Sequence, residues 1–317
     1  MADREGRKHL HVGGQAVIEG VMMRTPTRIA TAVRKPAGDI VVEASSFVSL
    51  TKKHRILNLP IIRGAVVLVE TFVLAVRALS FSAEHAMEEE SDGKKAKGSR
   101  KGNSGFQMGI TILAALVLGF VFFFYVPLKL TEWIGFEDGL LFNFVDGIFR
   151  LVFIFLYILL ITRWKEMQRI FEYHGAEHKT IFAFEEEGEI TPETASKYPT
   201  AHPRCSTSFL LIIVIVSIAI FILLGRPETI GERAIRFLFI PVIGGVSYEV
   251  LKISAKPSVK RYLGFLLWPG LFMQRFTTRE PSMDQIEVAI SALNACLNNT
   301  VADAPAHDHP DDKLVES

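Results

Sequence analysis

The chain has 317 residues, 49% of them hydrophobic, and its 35 Lys and Arg nearly cancel 34 Asp and Glu to leave a net charge of +1. That balance selects no highly charged partner, and the basic residues fall in short runs beside apolar blocks, where anionic lipid accounts for them, so nucleic-acid binding is not expected. The apolar blocks are about 20 residues long, enough at about 1.5 Å per residue to cross a hydrocarbon core of about 30 Å, which excludes an ordinary soluble helical core. The fold class expected is an α-helical polytopic membrane protein with about four transmembrane helices, an interfacial or re-entrant helix, and a small N-terminal cytoplasmic β unit.

Residues 1–55 form the expected β unit. The first ten are polar and no apolar signal core follows, so no signal peptide is expected. In Gly13-Gly14-Gln15-Ala16-Val17-Ile18-Glu19-Gly20-Val21-Met22-Met23-Arg24 the glycines bracket an apolar run holding one carboxylate. No Gly-Lys-Ser/Thr ends it, so it reads as a strand with a bulge or tight turn rather than a phosphate loop, with Glu19 a minor site candidate. Residues 29–34 and 40–44 are β-branched runs flanking a turn at 35–39.

Residues 56–106 read as a helix and a charged linker. Within 60–81, Arg63, Glu70 and Arg77 recur every seven residues as a polar stripe. With strands before it and a basic linker after it, this helix reads as interfacial or re-entrant; the functional alternative is a stripe facing a polar cavity. Residues 107–254 are the membrane domain, with spans at 108–128, 140–162, 206–225 and 234–253. The second span holds Asp146 and Arg150, whose spacing lets them pair on one helix face. The fourth contains Arg236, Glu249 and Lys252, and its Gly244-Gly245 permits close helix approach.

The loops alternate in charge. Lysines and arginines at 94–101, at Arg163, Lys165 and Arg169, and at Lys256, Lys260 and Arg261 contrast with Glu132, Glu137 and Asp138, while 226–233 is balanced. The positive-inside rule places residues 1–106, 163–205 and 254–317 in the cytoplasm, giving a multi-pass protein of the cell membrane with both termini cytoplasmic. Residues 255–299 are read as interfacial and amphipathic helices. The first, 262–276, is interrupted by Trp268-Pro269-Gly270; the second, 283–297, carries Ile286, Ala289, Ile290, Leu293 and Leu297 on one face. The acidic tail 300–317 reads as disordered, with His307 and His309 solvated. Cys205 and Cys296 both fall on the cytoplasmic side, where thiol or metal chemistry is expected rather than a disulfide.

The sharpest candidate site is His174-Gly175-Ala176-Glu177-His178. If the chain is helical across 163–184, His174 and His178 share a face one turn apart and can hold one metal, with Glu177 beside them. This H-x-x-E-H pattern resembles the inverted zinc-peptidase signature, in which two His hold zinc and the Glu activates water. His202-Pro203-Arg204-Cys205, at the other end of the loop, offers an imidazole and a soft thiolate. Glu249 is a third element, since a carboxylate in an apolar span is costly unless liganded, solvated or paired. The structural alternatives are interfacial histidines hydrogen-bonded to headgroups or loop backbone, and a Glu249 paired with Lys252 or with an arginine elsewhere.

Taken together, the glycine-rich segment at 13–24, Tyr173-His174-Gly175-Ala176-Glu177-His178-Lys179, and His202-Pro203-Arg204-Cys205-Ser206-Thr207 resemble the bacterial membrane-protein family DUF1385, labelled as predicted metal-dependent enzymes. The resemblance spans about residues 11–297 and implies that these motifs belong together; it supplies no substrate. The function expected is a metal-dependent hydrolase at the cytoplasmic face. Zn²⁺ would be held by His174, His178 and one of His202, Cys205 or Glu249, with Glu177 as general base, acting on a peptide bond or a lipid-linked substrate. The alternative is a non-catalytic scaffold or assembly factor whose zinc is closed by His174, His178, His202 and Cys205. A third reading, transport, rests on the Arg63, Glu70 and Arg77 stripe and on Glu249, and would need oligomerisation.

Overall fold

A computed structural model of the chain describes residues 10–86, 104–186, 190–202, 205–254 and 268–297. The basic run at 94–101, most of the linker, Pro203, Arg204, the lysines and arginine at 256–261 and the tail from residue 300 lie outside the described residues, as do His307 and His309.

The glycine-bracketed run becomes a hairpin. Strands β1 (Gly13–Val17), β2 (Gly20–Arg24), β3 (Arg28–Arg34) and β4 (Ile40–Ser46) form one antiparallel sheet in chain order. Val17 lies opposite Gly20, so Ile18 and Glu19 make a two-residue turn, and Glu19 takes a positive φ of 52°. A non-glycine residue in that region is strained. The side chain holds it there: Arg169 grips both carboxylate oxygens, and the Tyr173 hydroxyl donates at 3.2 Å. The β3–β4 turn falls at 35–39 as expected, with Gly38 at φ 98°.

Two short helical turns, Leu50–Lys53 and Ile56–Asn58, follow the sheet, and after them the described residues form α1 (Ile62–Ala86), α2 (Ser104–Phe120), α3 (Val126–Ile134), α4 (Gly139–Ile161), α5 (Lys165–Glu186), α6 (Pro192–Ser196), α7 (Ser206–Leu224), α8 (Ile230–Leu238), α9 (Ile240–Ser254), α10 (Trp268–Thr277) and α11 (Met283–Leu297). A π-helical turn, Val121–Tyr125, joins α2 to α3. Among the described residues four helices are long and apolar enough to cross a membrane: Ile62–Ala86, Gly109–Ile134, Gly139–Ile161 and Ile230–Ser254. The first is the helix read from sequence as interfacial or re-entrant, and it is one uninterrupted rod of 25 residues. Phe209–Leu224, within an expected span, is a shorter apolar helix. Asp138 caps α4 by accepting from the Leu141 N–H at 2.7 Å, and Thr229 with Glu232 forms a capping box on α8, which accounts for two acids of the loops.

The sheet is covered on both faces, and strand alternation decides what meets what. Val21, Met23, Ala30 and Ala32 pack against Ile286, Ala289 and Leu293 of α11 and Tyr173 and Ala176 of α5. Val17, Met22, Ile29 and Val33 face the other way, onto Ala78 of α1. The face of α11 expected to be amphipathic is therefore the cover of the sheet. Cys296 belongs to this core: its thiol donates to the Met23 carbonyl at 3.1 Å, and burial pushes it up to about 11. The structure gives this cysteine no metal partner among the described residues. Native protein treated with N-ethylmaleimide should leave Cys296 unmodified and label it only after unfolding, read by intact mass; rapid native labelling of Cys296 would contradict this packing.

The charged stripe of α1 resolves into separate contacts. Arg63 makes a two-pronged ion pair with Glu249, Glu70 accepts from the Leu50 N–H at 2.6 Å and from the Ser49 hydroxyl, and Arg77 is exposed. The crossing is close because Gly64 and Gly245 face each other, an added Cβ on Gly245 lying 2.2 Å from the Ile61 carbonyl. Inside the bundle Asp146 and Arg150 pair at 2.8 Å, as their spacing indicated, and Arg236 donates to Asn143 at 2.7 Å.

Candidate metal centre

α5 runs as one helix through the H-x-x-E-H motif, with α10 and the α6–α7 connection on its flanks, so each motif residue points to a different neighbour. His174 donates its Nδ1–H to the Thr277 carbonyl at the end of α10, at 2.7 Å. His178 donates its Nδ1–H to the Thr200 carbonyl. Both rings thus present Nε2 as a lone pair, the tautomer in which protein histidines bind metals. Their centroids are 4.4 Å apart.

Cys205, just before α7, completes the group. Its Sγ lies 3.3 Å from His174 Nε2 and within hydrogen-bonding reach of His178, and one ligand atom from each of the three residues falls within 4.8 Å of the others. Tetrahedral zinc requires ligand atoms about 3.4–3.6 Å apart, given bonds of about 2.0–2.3 Å. Two imidazoles and a thiolate suit that ion, and a contraction of about 1 Å at the widest pair would seat it.

The remaining candidates divide. His202 lines the same cavity, its ring 5.7 Å from that of His178, and its backbone N–H and C=O are both held by the buried Gln274 side chain at 2.7 and 2.9 Å. Glu177 also lines it. Its carboxylate accepts from the Gly14 N–H, and burial pushes its carboxyl above the ordinary value, opposed by His174, His202 and that hydrogen bond. Burial likewise lowers His178 and His202, keeping them neutral. Glu249 is not brought to the cluster: Arg63 occupies both its oxygens, whereas its neighbour Tyr248 lines the cavity. The carboxylate that looked like a ligand is the pair of an arginine 186 positions away, which no local spacing reveals.

Three supporting residues carried no chemical signal in sequence. Gly14 gives Glu177 room, since a Cβ there would sit 2.5 Å from the Met22 carbonyl and 3.1 Å from Glu177 itself. Gly175 lets the backbone at Arg279 approach α5, which brings Thr277 to His174. Gln274 fixes His202, and it sits on α10, which is helical from Trp268, its first described residue, through Pro269 and Gly270. Lys179, at the motif's end, is buried and ties to the Ser196 carbonyl and Glu280, each at 2.7 Å. The cavity lined by β1, α1, α5, α7 and α9 has a volume of about 400 Å³, within the range of small-ligand sites.

The model of the family described as protein of unknown function (DUF1385) matches residues 59–299. The chain belongs to the DUF1385 family. It is similar to the uncharacterized protein YqhQ of Bacillus subtilis (strain 168), 33% identical over 296 residues that cover 90% of this chain and 92% of the relative. No solved structure matches it. The DUF1385 match begins after β4, so the α5 motif, Cys205 and the α10 carbonyl fall inside it, while Gly14 precedes it.

Proposed function

We propose that this chain is a zinc-dependent hydrolase set at the cytoplasmic face of the cell membrane. The observation that carries the reading is the pair of Nδ1 hydrogen bonds to Thr277 and Thr200, which aim two Nε2 lone pairs at one cysteine sulfur beside a buried glutamate. Zinc, when bound there, supplies Lewis-acid activation of water and of a carbonyl. His174, His178 and Cys205 hold it. Glu177, its carboxylate oriented by the Gly14 N–H and its proton affinity raised by burial, takes the proton from the attacking water and returns it to the leaving group.

The membrane setting follows from charge. Arg163, Lys165 and Arg169 lie at the C-terminal end of α4, and Glu132, Glu137 and Asp138 near its other end, so the sheet, α5, α10 and α11 are cytoplasmic. α1, a continuous helix, is read as interfacial, because Glu70 and Ala78 touch the β unit along its length.

Detergent-purified wild-type protein should carry about one zinc per chain by metal mass spectrometry, and His174→Ala and His178→Ala should each lose it. Zinc retained in both variants would refute the assignment. The scaffold reading predicts a fourth protein ligand, for which His202, which lines the same cavity, is the candidate; His202→Ala should leave zinc content unchanged if a position is open for water and lower it sharply if the site is closed.

A further inference from the structure

β1 is an edge strand whose unpaired side opens into the metal-site cavity. Because Val17 faces Gly20 across a two-residue turn, Val17, Gln15 and Gly13 exchange hydrogen bonds with β2, and Gly14 and Ala16 direct their N–H and C=O outward. The other side of β2 agrees: the Thr25 N–H donates to the Arg28 carbonyl, so Met23 and Val21 bond to β3 and leave Gly20, Met22 and Arg24 for β1. One outward group is already engaged, the Gly14 N–H on Glu177. The Gly14 carbonyl and both backbone groups of Ala16 continue the row, and Gly13 through Ala16 all line the cavity.

Strand edges are usually blunted by charge, proline or a covering element. β1, Gly-Gly-Gln-Ala-Val, has no charge and no proline, and its outward-bonding residues, Gly14 and Ala16, are small; among the described residues only the Gly14 N–H is taken, by Glu177 of α5. A cavity occupant therefore meets bare main chain within reach of Glu177 and the three metal donors.

We propose that this occupant is an extended polypeptide segment, which pairs with β1 as an added strand and so lays a peptide carbonyl between Glu177 and the His174, His178 and Cys205 cluster. The proposal rests on the hydrolase reading and names its substrate class. An acyl chain of a lipid-linked substrate would fill the apolar walls formed by Leu68 and Phe209 but would leave the Ala16 N–H and C=O unpaired, whereas a peptide backbone satisfies them and places alternate side chains on those walls.

The test uses zinc-loaded, detergent-purified full-length protein and three probes sharing one metal-binding head: acetohydroxamate, octanoyl hydroxamate and a hydroxamate on a three-residue peptide backbone. The peptidyl probe should bind about tenfold or more tighter than acetohydroxamate, the gain of two or more net hydrogen bonds, and N-methylation of its backbone amides should remove that gain without altering the protein. Ala16→Pro deletes an outward donor and no sheet hydrogen bond, so it should weaken the peptidyl probe about three- to tenfold while acetohydroxamate affinity and zinc content stay unchanged. Octanoyl hydroxamate binding more tightly than the peptidyl probe, or N-methylation without effect, overturns the polypeptide assignment and leaves the metal site standing. Failure of acetohydroxamate to bind overturns the hydrolase reading and this inference with it.

Discussion

Glu177→Gln is expected to keep its zinc and lose turnover by about 10²–10⁴-fold, the usual contribution of a positioned general base. The substitution is nearly isosteric, and the amide oxygen still accepts from the Gly14 N–H, so the side chain stays in place while its capacity to take a proton is gone. It also leaves untouched the Thr277 and Thr200 carbonyls that orient the two imidazoles. Zinc content by mass spectrometry and peptide hydrolysis, measured on one preparation, separate the outcomes. Retained zinc with turnover within a few fold of wild type would remove Glu177 from the chemistry. Lost zinc would make Glu177 a ligand, or a support for one, and would return the site to the scaffold reading.

What was legible in the sequence is what is local. The His174 and His178 pair could be read because helical periodicity puts i and i+4 on one face, and α5 is helical throughout. The two β3–β4 runs and their turn were read from β-branched residues and a Gly-Asp punctuation, and the Asp146–Arg150 pair from the same one-turn rule. Cys205 was visible as a candidate but could not be ranked against His202 and Glu249, because the choice depends on how the start of α7 and the end of α10 meet α5. Glu249 misled for the converse reason: its partner Arg63 was counted as part of a stripe, whereas Arg63 and Glu70 each have their own separate contact. Gly14 carried the faintest signal of all. Its segment reads as a strand with a bulge or tight turn, yet the use of that glycine, to admit a carboxylate from a helix 163 positions later, is a tertiary fact.

The same tertiary logic sets the sign of the second large effect, Gly175→Ala. Helix propensity alone favours alanine over glycine by about 1 kcal/mol within a helix. Here the added Cβ would lie 2.0 Å from the Arg279 carbonyl oxygen and 3.3 Å from Pro281 Cδ, and the first obstacle is backbone, which has no rotamer to yield. The segment after α10 must therefore move away from α5. That segment donates from the Arg279 N–H to the Phe171 carbonyl at 2.9 Å, pairs Glu280 with Lys179, and supplies the Thr277 carbonyl to His174. Overpacking of this kind costs about 1–3 kcal/mol, which outweighs the propensity gain, and loss of the carbonyl that orients a ligand lowers metal affinity about 10–100-fold. Gly175→Ala should then show a lowered thermal midpoint together with zinc that is stripped at a lower chelator concentration than in the wild type. Gly119→Ala is the matched control, since nothing lies within 4 Å of the added Cβ there, and it should match or exceed wild-type stability with zinc affinity unchanged. A Gly175→Ala protein as stable as the Gly119→Ala control would mean that α5 and the α10 exit do not meet as closely as the His174–Thr277 bond requires.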